Sequence, residues 1–165
     1  MKKYFRDISF CVGFAMVAAM LAVLCISFFW LPYDTNTMDL TLKLKGPSAV
    51  HWLGTDQFGR DIASRIMKGI QVSFLIGLLV VAAGGTVGTV LGAFSGYFGG
   101  KTDEVIMKVI DAQMAFPGVL LALMLISVFG NGVENTILAL SIMSIPRFVR
   151  ISRSGYMKLR DADFV

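Results

Sequence analysis

Charge is scarce in this sequence. Charged residues fill 16% of its 165 positions, hydrophobic residues fill 56%, and the mean hydropathy is +0.73. Soluble domains carry about a quarter charged residues, so a soluble globular protein is disfavoured and a disordered one is excluded. Histidine occurs once, at His51, and cysteine twice, at Cys11 and Cys25. A single histidine with no second one and no thiol nearby makes a poor metal site. The two cysteines share one apolar run. As a helix it would hold them about 21 Å apart, too far to bond within one chain. Neither a disulfide framework nor a zinc site is expected. With the one histidine in a loop, no Ser/His/Asp or Cys/His set can be assembled, and no carboxylate pair falls inside an apolar run. No catalytic, cofactor-binding or metal-binding residue is expected, and the chain does not read as an enzyme.

What is present is length of apolar sequence. A helix needs about 20 apolar residues to cross about 30 Å of hydrocarbon. Residues 8–31 meet that, as does the centre of the uncharged run 69–100. A third run, 112–129, is broken only by Pro117-Gly118, and a fourth, 135–146, is short and spans only if it continues past Arg147. The first run is too long for a cleaved signal peptide and ends in Phe28-Phe29-Trp30, where cleavage needs small side chains. It reads as an uncleaved anchor, with Trp30 and Tyr33 at the outer interface. The fold class is therefore all-α, a polytopic membrane helix bundle of about four transmembrane helices. Residues 1–71 form the anchor (about 8–31) and an external loop. Residues 72–165 form a core with spans at about 72–98, 105–129 and 133–150. Residues 61–68 read as a short interfacial helix.

Lys and Arg number 15 against 11 Asp and Glu, a net charge of +4. With the N-terminus inside, ten of the basic residues fall on the cytoplasmic side and five outside, as the positive-inside rule requires. The net charge then needs no nucleic acid.

Four features carry candidate function. Gly84, Gly88, Gly92, Gly96 and Gly100 recur every four residues, a slowly winding stripe on a helix. Small residues let membrane helices approach, so the stripe is a packing seam, either static or sliding during transport. Residues 95–102 nearly match a phosphate-binding loop but lack its first glycine, follow an apolar helix and run into Asp103-Glu104. Glycines of a turn explain them better. Glu104, Lys108 and Asp111 share a helix face, and Arg150 and Arg153 follow Arg147 at intervals of three. The first three read either as an interfacial ion cluster that sets helix depth or as a contact with a cytoplasmic partner or a gate; the arginines read either as anchoring against anionic lipid or as docking an acidic surface of a cytoplasmic partner. Pro117 and Pro146 interrupt apolar stretches, and each is expected to kink its helix, with neighbours satisfying the freed carbonyls.

Residues 51–65 read HWLGTDQFGRDIASR. This stretch, with Gly54, Thr55, Asp56, Gly59, Arg60, Asp61, Ser64 and Arg65, resembles the H-x-L-G-T-D-x-x-G-R-D-x-x-S-R signature of ABC importer permeases. The subgroup is the dipeptide/oligopeptide/nickel type, C-type subunit. Residues 96–117 and 150–165 are similar to the same family's second-to-third span region and its approach to the coupling loop. The resemblance implies a six-span permease of which this chain holds about four, cut short before the E-A-A coupling loop and so unable to couple ATP hydrolysis to transport. It implies a second permease subunit, two cytoplasmic ATPases that bind the ATP, and an extracytoplasmic binding protein. It also implies residence in a bacterial or archaeal plasma membrane. Peptides rank first as substrates. Nickel or a metal chelate ranks second, with residues 30–34 and His51-Trp52 leaning toward the nickel type. Substrate-binding residues are not assigned. The alternatives are a secondary transporter or channel, which would need paired ionisable residues at mid-membrane or an inverted repeat, and a non-transporting scaffold.

Overall fold

The computed structural model describes residues 8–160; the expectations placed on Lys2, Lys3, Arg6 and residues 161–165 lie outside them. Five helices follow in order, α1 (Ile8–Phe29), α2 (Ile62–Phe98), α3 (Gly100–Met114), α4 (Gly118–Phe129) and α5 (Val133–Arg160), with a 3-10 turn at Leu40–Leu42. The chain divides into two compact units, Met1–Phe74 and Leu75–Val165, and α2 contributes residues to both. Of the described helices, α1 and α2 are long and apolar enough to cross a bilayer, and the bent pair α3–α4 is a third if counted as one span.

In the first unit, α1 is apolar on all sides and buries only Leu24 and Ser27. An all-apolar helix with so little protein around it suits hydrocarbon rather than water. The separate interfacial helix expected at 61–68 does not exist. Those residues open α2, which runs unbroken for 37 residues. Gly69 is the lone weak helix former between Lys68 and Val72, and one glycine costs too little to stop a helix.

In the second unit, the expected third span falls on two helices. α3 and α4 meet at 88° around residues 115–117. Proline disfavours helical backbone in the residue before it, so Phe116 ends the turn and Pro117 becomes the N-cap of α4. Pro146 behaves differently and stays inside α5. Its ring removes the N–H that would serve the carbonyl of Ile142. The Gln113 side-chain amide donates to that carbonyl instead, at 2.6 Å. α4 ends at Gly130, whose φ of 91° few other residues adopt. Asn135 Nδ2 donates to the carbonyls of Phe129 and Gly130, which the helix end leaves open.

The glycine stripe sets the register of α2 on α5. A Cβ on Gly84 would strike Ser144 and the Ser141 carbonyl. On Gly88 it would strike Phe148 and the Ile145 carbonyl, on Gly92 Ser152 and the Val149 carbonyl, and on Gly96 Tyr156 and the Arg153 carbonyl. Each glycine meets a residue sixty positions on, so the two helices run parallel with four-residue rows interlocked. Gly100 stands outside this contact, exposed and with open space beside it.

Gly88→Val should therefore disrupt the seam. Its Cβ would lie 2.6 Å from Phe148 Cβ, an overpacking that costs about 1–3 kcal/mol. Gly77→Ala, with nothing within 4 Å, should leave thermal stability in detergent unchanged. Equal melting temperatures for the two variants would refute the seam.

Candidate functional site

Residues 32–68 of the first unit fold around two carboxylates. Gly54 and Gly59 have φ of 77° and 74°. Their missing side chains let the backbone pass against the carbonyls of Lys45 and Asp39, which a Cβ would strike at 2.4 and 1.7 Å. Thr55 donates its hydroxyl to the Leu42 carbonyl and accepts from the Lys45 N–H. Asp56 then organises the turn. Its carboxylate accepts from the N–H groups of Phe58 and Arg60 and from the Arg60 guanidinium, and pairs with Arg65 at 2.8 Å. Burial alone would raise its pKa. The Arg60 side chain and the two backbone N–H groups outweigh that and hold it at about 2.

Asp61 caps α2. Its Oδ2 accepts from the Ser64 N–H at 2.7 Å and the Ser64 hydroxyl at 2.8 Å, the N-cap geometry that satisfies an open helix donor. Its Oδ1 accepts from His51 Nδ1 at 3.0 Å. Ser64 Oγ in turn accepts from the Tyr33 N–H, and the Tyr33 ring lies 4.8 Å from the His51 ring. Burial pushes the Asp61 carboxyl up, but the Ser64 and His51 hydrogen bonds prevail and keep it below the usual carboxylate range. The sequence argument that no Ser/His/Asp set could form is corrected here, because the three side chains do meet. They meet with the carboxylate in the middle. Ser64 gives its proton to Asp61 and not to the His51 ring, so no base addresses the hydroxyl and the arrangement is not a nucleophile relay. All eight signature residues are thus engaged with one another or with the neighbouring backbone.

In the second unit, α3 is tied to α5. Arg153 grips Asp103 with two bonds, at 2.5 and 2.6 Å, and the buried Ser95 hydroxyl donates to the same carboxylate. Arg150 donates to Asp111 at 2.7 Å. Glu104 and Lys108 pair with each other along α3, and both side chains are exposed. Of the predicted charged set, Asp111, Arg150 and Arg153 therefore come together between helices, and Glu104 and Lys108 do not join them. Asp103 was missed. Nothing in linear spacing places it opposite a residue fifty positions on. Ser95, the first residue of the near-match to a phosphate loop, bonds to Asp103 just beyond its end instead of framing an open anion site.

Beside the α3–α4 bend lies a cavity of about 350 Å³, walled by Met114, Phe116, Leu140 and Met143 with Gln113 and Arg147 among its lining residues. No group of three or more potential metal ligands occurs among the described residues.

Two outcomes test this geometry. Stability contributed by Asp56 should be complete above about pH 4 and fall as pH drops from the unfolded carboxyl value of 3.8 through about 2. Fluorescence of Trp30 and Trp52, 5.8 Å apart, should report that acid step, and Asp56→Asn should abolish it. An Asp103→Asn/Arg153→Gln double-mutant cycle should give a coupling of about 0.5–3 kcal/mol; strict additivity would refute the tie.

Residues 88–165 match the family described as binding-protein-dependent transport system inner membrane components. The chain is 39% identical over 157 residues to a glutathione transport system permease protein of Pectobacterium atrosepticum, covering 92% of this chain and 52% of the relative. It is 39% identical over 152 residues to a probable D,D-dipeptide transport system permease protein of Escherichia coli K12, covering 92% of this chain and 51% of the relative. The chain spans about half the length of the curated relatives it matches.

Proposed function

From the match of residues 88–165 to the binding-protein-dependent transport system inner membrane components, we propose that this chain forms part of the membrane permease of an ABC importer. The observation that carries the reading is the 39% identity to permease subunits across 92% of the chain. It performs no catalysis of its own. Cytoplasmic ATPases bind the nucleotide, a binding protein outside delivers the substrate, and a second permease completes the passage. Peptide-like substrates rank first, in line with the glutathione and D,D-dipeptide systems of the relatives. The relatives described lend nickel no support.

The proposed topology has four crossings with the N-terminus in the cytoplasm. Helix direction supports it. α2 and α5 run parallel, so if both cross, the chain between them must return across the bilayer. The α3–α4 pair is the segment available for that return. α4 alone, at 12 residues, extends only about 18 Å, short of the hydrocarbon thickness. In this topology Glu104, Lys108, Asp111, Arg150 and Arg153 lie toward the cytoplasm, and the loop of residues 32–68 lies outside.

Co-expression with the companion permease tests the proposal. The two chains should co-purify in mild detergent, and Gly88→Val should weaken their recovery. A full-length version that assembles alone and transports without an ATPase would overturn the reading.

A further inference from the structure

We propose that the cavity at the α3–α4 bend is a substrate subsite in which Arg147 receives the carboxylate of a small peptide; this rests on the importer reading above. Arg147 is the single titratable side chain lining the cavity. It is exposed, and among the described residues it makes no ion pair. Its neighbours along α5 differ, since Arg150 and Arg153 are both matched by aspartates of α3. In the proposed topology α5 enters at about Val133, and Arg147, about 21 Å further along the helix, lies near its cytoplasmic end. A guanidinium that faces no carboxylate among the described residues is open to an anionic ligand.

The rest of the lining fits the same ligand. Gln113 commits its side-chain N–H to the Ile142 carbonyl, which leaves its Oε1 as an acceptor for a peptide N–H. Met114, Phe116 and Met143 supply adaptable apolar walls. The volume of about 350 Å³ lies at the lower end of the about 300–1,000 Å³ typical of ligand pockets, the size for a ligand of two or three residues. The Arg147 fork can hold a carboxylate with two bonds, while side chains of varied kind meet mostly apolar walls such as Met114, Phe116, Leu140 and Met143.

The test uses the chain in nanodiscs of neutral phosphatidylcholine, with arginine modification by phenylglyoxal followed by peptide mass mapping. The probes are alanylalanine and its C-terminal amide at millimolar concentration. Alanylalanine should slow modification of Arg147 about fivefold, as for a ligand several times above its dissociation constant. The amide should not, and Arg65 should be unaffected by either. Leu140→Trp, which fills the cavity, should abolish the protection, and Gln113→Glu should weaken it. Equal protection by acid and amide, or none, overturns the proposal. Protection by phosphatidylglycerol in place of the dipeptide assigns Arg147 to a lipid phosphate and also overturns it. So does loss of Arg147 reactivity on adding the second permease alone, which assigns it to a partner carboxylate. Failure of the two permeases to co-purify, with dipeptide protection intact, would instead refute the importer reading.

Discussion

Between helices in hydrocarbon there is no hydrophobic drive, so association depends on how closely backbones approach and on which polar groups find partners. The α2–α5 contact meets that condition through absent side chains. Gly84, Gly88, Gly92 and Gly96 are buried, and each leaves room for a carbonyl or Cβ of α5. Ser152 adds a hydroxyl bond to the Thr89 carbonyl across the same face. This approach places α5, and the position of α5 decides the rest of the second unit. It brings Arg153 beside Ser95 and Asp103, Arg150 beside Asp111, and Ile142 within reach of Gln113. Widening the seam by one methyl group would strain each of these at once.

The loop of the first unit follows the opposite logic. It has little apolar material to bury, so polar groups build it. Two carboxylates, Asp56 and Asp61, accept nearly every donor that two tight turns and a helix start leave open. The glycines remove Cβ atoms where backbone passes backbone. The signature therefore encodes a shape. Its groups are occupied internally, and what the loop offers outward are aromatic and apolar side chains, among them Trp30, Trp52 and Leu53, all about half exposed.

Much of this was legible in the residues. Apolar runs placed α1 and α2, and the four-residue glycine period picked out the face that packs. The short residue set at 51–65 was recognisable as a family pattern before its chemistry was known. Three things were not legible. The two prolines look alike in sequence, yet Pro117 ends a helix and Pro146 stays inside one. The difference lies in Gln113, a residue twenty-nine positions from the carbonyl it rescues. The Asp103–Arg153 pair joins elements whose register depends on the seam, so no local spacing reveals it. The His51–Asp61–Ser64 contact depends on the loop closing back onto the start of α2, which a linear reading of a lone histidine does not see.

The contacts between α3 and α5 also constrain how the second unit can move. Asp103 meets Arg153, Asp111 meets Arg150, and Gln113 meets Ile142. As the α3 number rises the α5 number falls, so the helices lie antiparallel and are tied at three levels. Sliding one along the other would break two ion pairs and expose an unsatisfied carbonyl together. In a low-dielectric setting that combination is costly. The tie makes α3 and α5 one body. Motion is then confined to places with fewer polar ties, the glycine seam with α2 and the bend at Phe116-Pro117. The seam has smooth glycine surface on one side, and the bend has a proline where helical hydrogen bonds are already missing. Both border the cavity that Arg147 lines, so a change in either would alter the cavity while leaving the α3–α5 ion pairs whole.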